Sequence, residues 1–347
     1  MSSPLDRRIA LWVGCYTSDM DGEGQGIVAL GREANGSLGP LGAPSPVASP
    51  SFLALHPSLP VLYAVSEGEQ TVGAYRYAAG GSLSALGTAV AAGPYVCHVA
   101  ADPEGKFLVA SCWGDGSVVL VEVEPDGSLG ARHAGAASVD PYGQARQSRA
   151  HACLMLGNGQ AVTTDVGHDL LRFWQFSAGD GLEQLGTERL PVGSGPRHLA
   201  QSSRGIVYVV TEYSAEVALL YPVARGPGRV ALELQSMLPI SPRGALPGDA
   251  AAEVCLDADE RHLYVGVRGS NRICTLQVHA DGTTTPLEEV DCGGLWPRHH
   301  CVDQQRLIVA LERSNAIAIF SLQPDGRVTG APRLVPVGSP SCVLPHR

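Results

Sequence analysis

The pattern of apolar and polar positions predicts a protein built almost wholly from short strands. Val-rich runs of five or six residues recur along the chain, and pairs such as D-G, N-G, P-S and G-D interrupt them about every ten residues. Such pairs favour the turns of β-hairpins, and no apolar stripe of useful length follows the 3.6-residue period of a helix. The pattern therefore predicts an all-β fold.

A two-strand unit repeats six times along the chain. Successive units begin 46, 53, 47, 55 and 46 residues apart, and each is followed by a third apolar run and by a turn that leads to a fourth strand. This spacing is typical of the four-stranded blades of a β-propeller. The six units are FLALHPSLPVLYAVSE (52–67), HVAADPEGKFLVASCW (98–113), HACLMLGNGQAVTTDV (151–166), HLAQSSRGIVYVVTE (198–212), EVCLDADERHLYVGVR (253–268) and HHCVDQQRLIVALE (299–312).

A seventh blade is divided between the two ends of the chain. Residues 9–16 resemble a second strand and residues 26–33 a third, whereas residues 339–345 offer the missing inner strand. Pairing the two ends closes the ring and removes a sheet edge that would otherwise be exposed. We therefore expect one seven-bladed β-propeller domain over residues 1–347, with four antiparallel strands in each blade.

Alignment of the blades places unusual side chains at one mouth of the central channel. Because consecutive strands are antiparallel, the start of the first strand and the end of the second lie at the same end of a blade. Ordinary turns would hold Asn, Gly or Asp there, but these positions hold histidine, arginine, glutamate, Trp and Tyr. The inner strands start with Phe52, His98, His151, His198, Glu253, His299 and Cys342; the preceding residues are Ser51, Cys97, Ala150, Arg197, Ala252, Arg298 and Ser341; the second strands end with Glu67, Trp113, Val166, Glu212, Arg268, Glu312 and Tyr16.

Arginines and a histidine–glutamate pair indicate the chemistry of this mouth. Arg197, Arg268 and Arg298 offer planar donors for a phosphate, a carboxylate or an oxyanion that develops in a transition state. His151 and Glu212 are the natural acid–base pair, because groups that titrate close together can be tuned toward neutral pH. We therefore predict His151, Arg197, Glu212 and Arg268 as catalytic residues.

Six further residues of the mouth are candidates for substrate binding, and each has a structural alternative. The histidines could hydrogen-bond the backbone of a neighbouring blade, the charged residues could pair with one another, and the two aromatic residues could simply line the channel. These candidates are His98, His198, Arg298, Glu67, Trp113 and Tyr16.

Charge and hydropathy narrow the partners to a small molecule. The formal net charge of −10 lacks the broad basic face that duplex nucleic acid requires. The apolar run of residues 9–13 is too short for a secretory signal, and nothing approaches the length of a membrane span. We therefore expect a soluble cytoplasmic protein without nucleic-acid or membrane partners, and the oligomeric state stays open.

The spacing of cysteine and histidine argues against a metal or cofactor. The nine cysteines include no C-x-x-C pair, and most fall in apolar strands, where reduced buried thiols are the ordinary state. A histidine–carboxylate set would have to come from different blades, and no H-E-x-x-H or D-x-D-x-D-G spacing occurs. We therefore expect neither a metal nor a cofactor.

Motifs along essentially the whole chain resemble those of the seven-bladed propeller lactonases, a family that includes bacterial 6-phosphogluconolactonases of propeller type and fungal carboxymuconate-lactonizing enzymes. LWVGCYTSDMDGEGQGIVAL resembles the VGTYT…GI opening of that family, and segments such as SRAHACLMLGNGQAVTTDVG and GPRHLAQSSRGIVYVVTE resemble its blade motifs. The resemblance implies a site made of a His, an Arg, a Glu and an Arg. By motif these fall on His151, Arg197, Glu212 and Arg268.

The leading functional prediction is hydrolysis of 6-phosphoglucono-1,5-lactone or a related anionic sugar lactone. Cys112 and Trp113 stand where the family commonly has Asn and Tyr, and this change at the mouth leaves the substrate open. Two alternatives remain: a muconate-type lactonizing cycloisomerase, whose dicarboxylate substrate would suit the same arginines, and a non-catalytic propeller that presents its rim to a protein or peptide.

Overall fold

Seven antiparallel sheets form the computed structural model, which describes residues 8–33, 36–226 and 229–346. Six sheets have four strands, and the seventh has a fifth short strand that pairs with its third strand. Each sheet is one blade, numbered here by the order in which its inner strand occurs in the chain. The inner strand of each blade contacts the inner strands of the two neighbouring blades, and the contacts run around the whole ring. The prediction of a seven-bladed β-propeller is confirmed.

The strands are as follows, from the channel outward in each blade. Blade 1 contains Leu53–Leu55, Val61–Ser66, Thr71–Tyr77 and Leu83–Ala85, with the extra strand Val90–Ala91; blade 2 contains Val96–Ala101, Phe107–Cys112, Val118–Val123 and Leu129–Ala134; blade 3 contains Ala150–Gly157, Gln160–Asp165, Leu170–Ser177 and Gly181–Arg189; blade 4 contains Pro196–Gln201, Val207–Thr211, Glu216–Ala224 and Val230–Pro239. Blade 5 contains Ala250–Leu256, His262–Arg268, Arg272–Val278 and Thr284–Asp291; blade 6 contains Pro297–Asp303, Arg306–Leu311, Ala316–Leu322 and Val328–Pro336; blade 7 contains Pro340–Pro345, Ile9–Cys15, Val28–Arg32 and Leu38–Pro40. Two single-turn 3₁₀ helices, Ser18–Met20 and Glu312–Ser314, follow second strands.

Both ends of the chain contribute to blade 7. The C-terminal strand Pro340–Pro345 pairs antiparallel with Ile9–Cys15, so that Leu11 lies opposite Pro345 and Gly14 lies opposite Cys342. The predicted closure of the ring is therefore confirmed. That residues 1–347 form a single domain stays a prediction.

The hydrophobic core lies between adjacent blades rather than at one central point. Val210 and Val217 of blade 4 pack with Val254 and Val265 of blade 5, for example, and all four are almost fully buried. Burial of each such side chain contributes roughly 1.5–3 kcal/mol. All nine cysteines are free, and seven of them are buried.

A β-bulge interrupts the inner strand near the channel mouth in six of the seven blades. In blade 4, three steps from Pro196 to Leu199 oppose only two steps from Thr211 to Val209. A bulge breaks the strict alternation of side chains along a strand. Two consecutive residues, Arg197 and His198, can therefore both face the channel.

The part of the chain that the structure describes contains no helix that is long and apolar enough to cross a membrane.

Candidate active site

A cavity of about 10 Å³ lies at the mouth that the sequence predicted. It has room for about one water molecule, so a sugar ring would have to bind above it. The residues around it come from the starts of inner strands and the positions just before them, together with one second-strand end. They are Tyr16, Ser51, Phe52, Cys97, His151, Arg197, His198, Arg298, His299 and Ser341.

Glu212 joins two arginines at this mouth. Its Oε2 lies 3.1 Å from Nε of Arg197 and 3.1 Å from Nη2 of Arg268. Blade 5 orients both guanidinium groups, because Nη1 of Arg197 donates to the carbonyl of Ala252 at 2.5 Å and Nε of Arg268 donates to that of Ala250 at 3.2 Å. Three of the four predicted catalytic residues thus form one cluster.

Burial divides this cluster into two covered cations and a more accessible anion. The side chains of Arg197 and Arg268 are 3% and 7% exposed, whereas that of Glu212 is 20% exposed. Burial lowers the pKa of Arg197 to about 10, and it also lowers the pKa of Arg268, although Glu212 opposes that shift. Both arginines remain cationic at neutral pH and have little competing water, which favours tight contact with an anion.

His151, the fourth predicted catalytic residue, lies beside His198, with the ring centroids 5.0 Å apart. Its Nδ1 is buried and has no hydrogen-bond partner. Burial, followed by the charge of Arg197, lowers the pKa of His151 well below its ordinary value. The imidazole is therefore neutral, and one of its ring nitrogens has no hydrogen-bond partner. The ion-pair partners of Glu212 among the described residues are arginines. The acid–base roles of His151 and Glu212 stay a prediction.

Tyr16, Glu67 and Arg298, three of the predicted substrate-binding residues, bond to one another. The Tyr16 hydroxyl donates to Oε2 of Glu67 at 2.9 Å, and Nη2 of Arg298 donates to that hydroxyl at 2.5 Å. Nη1 of Arg298 lies 3.1 Å from Oε2 of Glu312. Burial alone would lower the pKa of Arg298. Tyr16 and the nearby glutamates outweigh burial and raise this pKa above the ordinary arginine value. These contacts match the structural alternative of a charge network.

Two of the channel histidines accept hydrogen bonds from the backbone of the next blade. Nδ1 of His98 accepts from the Cys153 amide, and Nδ1 of His299 accepts from the Val343 amide, both at 3.3 Å. His98 also stacks on Phe52, with the ring centroids 4.0 Å apart. Both histidines therefore make the backbone hydrogen bonds that the structural alternative predicts.

Trp113 lies on the outer edge of the mouth and is 37% exposed. The guanidinium of Arg149 lies 3.6 Å above its ring, and Tyr95 meets it edge-on at 6.3 Å. Neither neighbour was a candidate from the sequence, because both come from loops outside the repeat. The three side chains thus form one aromatic and cationic group.

Glu253 is the residue that sequence reasoning placed at the mouth without giving it a role. It is buried, and its Oε2 lies 2.5 Å from Nδ1 of His198 and 3.2 Å from Nε2 of His299. The blade alignment could have drawn attention to it, since it is the single carboxylate among seven inner-strand starts. His198, the remaining predicted binding residue, thus contacts a carboxylate of the next blade.

Known proteins resemble the chain over nearly its full length. The family model described as "Lactonase, 7-bladed beta-propeller" matches residues 10–345. A 6-phosphogluconolactonase of Bacillus subtilis is 29% identical over 96% of this chain and 97% of its own. The periplasmic gluconolactonase PpgL of Pseudomonas aeruginosa superposes with a TM-score of 0.86 at 25% identity, over 97% of this chain and 98% of the other. A Lactobacillus plantarum protein at 22% identity has a TM-score of 0.85, covers 98% of this chain and 100% of its own, and shares the fold.

Proposed function

Because the chain belongs to the seven-bladed β-propeller lactonase family, we propose that it hydrolyses an anionic sugar lactone, with 6-phosphogluconolactone as the substrate. The observation that carries this proposal is the cluster in which Arg197 and Arg268 converge on Oε2 of Glu212, each at 3.1 Å. The Bacillus subtilis relative is named a 6-phosphogluconolactonase. The proposal is narrower than the family description, which names no substrate beyond a lactone.

The lactone would lie across the mouth, over the accessible side of Glu212. The cavity below holds about one water and excludes a sugar ring. Arg197 and Arg268 would donate to the substrate's carbonyl oxygen as it becomes an oxyanion. Their charge would count strongly there, because both guanidinium groups are buried and already oriented by backbone carbonyls.

Hydrolysis adds one water across the ester bond of the ring. The water oxygen attacks the carbonyl carbon, a base takes its proton, and the carbonyl oxygen becomes the oxyanion that the arginines stabilise. The tetrahedral intermediate then collapses, the ring C–O bond breaks, and the proton returns to the leaving ring oxygen. The product is the open-chain hydroxy acid, which loses a proton at neutral pH.

Either Glu212 or His151 would act as the base. Glu212 is the accessible carboxylate of the cluster, whereas His151 lines the cavity and holds a buried Nδ1 without a partner. Comparison of Glu212→Gln with His151→Gln separates them. The residue whose loss removes the acid limb of the pH–rate profile is the base.

Substrate choice is tested on the purified chain with two lactones that differ only in the phosphate. We expect kcat/KM for 6-phosphogluconolactone to exceed that for gluconolactone by at least about tenfold, the effect of roughly one added charge-assisted hydrogen bond. The Pseudomonas relative is named a gluconolactonase. Equal rates on the two lactones would therefore indicate that the substrate is an uncharged sugar lactone.

The site itself is tested with Glu212→Gln. We expect kcat/KM to fall by about 10²–10³, since the substitution removes a candidate base and the partner that aligns two oxyanion donors. Glu289→Gln is a matched control, because Glu289 also bridges two arginines, Arg243 and Arg272, but lies in the outer strand of blade 5. Wild-type rates for Glu212→Gln, or equal losses in both variants, would rule out this site.

The other functional predictions have less support. Two of the relatives named above bear lactonase names, and among the described residues no contact at the mouth favours a cycloisomerase or a binding scaffold over a lactonase. A cytoplasmic location stays a prediction, and the Pseudomonas relative is named as periplasmic.

A further inference from the structure

Two arginines lie over the indole ring of Trp296, at the start of the inner strand of blade 6. The guanidinium carbon of Arg313 is 3.5 Å from the centre of the ring, and that of Arg268 is 5.5 Å from it. Arg268 belongs to the cluster around Glu212. A single small molecule that contacts the cluster can therefore also reach the side chain of Arg313.

The backbone of Trp296 has a conformation that a bulky residue rarely adopts. Its φ is 66°, in the left-handed region. Its N–H donates to Oδ1 of Asn271 at 2.8 Å, and its carbonyl accepts from the Glu312 amide at 3.2 Å. Strain of this kind persists only where the surrounding contacts enforce it, and it is concentrated at functional sites.

The turn before the inner strand does not itself require an aromatic side chain. Trp296 stands three residues before His299, and the equivalent residue has a positive φ in four other blades. Small residues occupy three of those four positions, which are Ser49, Tyr95, Gly195 and Ser339. Glycine adopts this conformation without steric cost. The contacts of the indole therefore explain Trp296 better than the turn does.

The guanidinium of Arg313 is free to bind an anion. Arg268 and Arg298 each pair with a glutamate at this mouth. Arg313 is exposed, and among the described residues no hydrogen bond or ion pair joins it to a partner; its contact is the ring of Trp296. Stacking on an aromatic face orients a guanidinium while its N–H groups stay available at the edge. Arg313 therefore presents an oriented set of donors beside the cluster.

We propose that Arg313, oriented by Trp296, binds the phosphate of the substrate. The inference rests on the proposed function, because it assigns the second anionic end of that lactone. Arg268 contacts the carbonyl oxygen and Arg313 contacts the phosphate, so the sugar ring lies between them. A guanidinium and a phosphate form paired, charge-assisted hydrogen bonds. Arg313 thus determines specificity for the phosphorylated lactone and takes no part in the chemical step.

The test compares hydrolysis of 6-phosphogluconolactone and gluconolactone by the purified full-length chain at constant ionic strength. We expect Arg313→Gln to lower kcat/KM for the phosphorylated lactone by at least about tenfold, mainly through KM, in line with the loss of a charge-assisted hydrogen bond. Its kcat/KM for gluconolactone should stay within about twofold of wild type. Arg313→Lys keeps the charge but lacks the planar fork, and it should recover only part of the preference.

Arg149→Gln is the matched comparison. The guanidinium of Arg149 also lies over a tryptophan, Trp113, at 3.6 Å. Its Nη2 already donates to Oε1 of Gln147 at 3.0 Å, so fewer of its donors are available to an anion. Arg149→Gln should keep the wild-type ratio of the two kcat/KM values. Loss of the preference in Arg149→Gln but not in Arg313→Gln would overturn the proposal.

The remaining outcomes separate this subsite from the lactonase assignment. A preference that survives in Arg313→Gln, or an equal loss on both lactones, would overturn the subsite and leave the lactonase activity in place. Calorimetry with 6-phosphogluconate repeats the comparison without turnover, and its Kd should rise at least about tenfold in Arg313→Gln. A wild-type chain that hydrolyses neither lactone would overturn the proposed function, and equal 6-phosphogluconate binding by wild type and Arg313→Gln would overturn the subsite.

Discussion

At the residue scale, the blade alignment was sufficient to identify the mouth and its charged residues, but it could not assign their partners. The alignment gave Glu212 and His151 equal standing as an acid–base pair, whereas the folded chain gives Glu212 two arginine partners and leaves Nδ1 of His151 without one. Such pairings depend on side-chain direction across two blades, and a list of equivalent positions does not contain that direction.

Four buried channel histidines make the stability of the fold depend on pH. Burial lowers the pKa of His98, His151 and His198 well below 6.5 and that of His299 to about 3. Below pH 6.5 the unfolded chain takes up protons that the folded chain does not, so the free energy of unfolding falls as pH decreases from 6.5 toward those lower values. At pH 5, about 1.5 pH units below 6.5, each histidine should cost roughly 2 kcal/mol.

Urea denaturation between pH 7 and pH 5, with a chelator present, measures this effect. The midpoint should fall steadily over that range, and His98→Gln should flatten the dependence by about one proton, since it removes one neutral buried imidazole. His279→Gln is the control, because His279 is exposed and its Nε2 lies 3.0 Å from the hydroxyl of exposed Thr285. A wild-type midpoint that stays constant from pH 7 to pH 5 would mean that the channel imidazoles carry protons in the folded chain.

At the element scale, the hydrophobic pattern predicted the ends of the second strands to within one residue, but it placed six of the seven inner-strand starts one to three residues too late. It did not predict the bulges. In blade 6, two steps from Pro297 to His299 oppose one step from Leu311 to Ala310, and this extra residue lets Arg298 and His299 both line the cavity. One inserted residue leaves the local apolar pattern almost unchanged, since both faces of an inner strand are covered. The sequence therefore predicted which residues lie at the mouth and left unexplained how neighbours in the chain could both reach it.

Close packing between blades predicts that a small change in one strand can be costly. A Cβ built on Gly14 would lie 2.1 Å from the carbonyl oxygen of Pro50 and 3.3 Å from Leu53 of the next blade. Because the nearest atom is backbone, it cannot move aside cheaply, and Gly14→Ala should lower the free energy of unfolding by about 1–3 kcal/mol or more. Gly186→Ala is the matched control, because Gly186 also lies in a strand and a Cβ there meets nothing within 4 Å.

Thermal and urea unfolding of the two alanine variants give the comparison. Gly186→Ala should be neutral or stabilising by up to about 1 kcal/mol, since alanine loses less backbone entropy on folding. Equal stability of the two variants would show that blades 7 and 1 can separate at this contact without cost.

At the scale of the whole molecule, the ring is closed by hydrogen bonds between the two ends of the chain. Pro340–Pro345 supplies the inner strand of blade 7, and Cys342 and Val343 are almost fully buried against the neighbouring blades. Removal of this strand would expose an edge of Ile9–Cys15 and the inner strands beside it. The sequence repeat alone predicted this closure. Six blades were complete, and the seventh lacked only its inner strand.

Deletion of residues 340–347 should therefore destabilise the whole ring rather than one blade. We expect the truncated chain to lose its cooperative unfolding transition and to aggregate through the exposed strand edge, while a synthetic peptide of residues 338–347 should restore part of the transition by strand addition.

A circular permutant is the control: it joins the original ends through a flexible linker and opens the chain in the turn at residues 178–180, where Gly179 has no close neighbour. The permutant keeps the strand pairing and should stay folded, because its closure becomes covalent. Size-exclusion chromatography and near-ultraviolet circular dichroism distinguish these states, and a truncated chain that unfolds cooperatively at the wild-type midpoint would show that the remaining six blades hold the ring without the C-terminal strand.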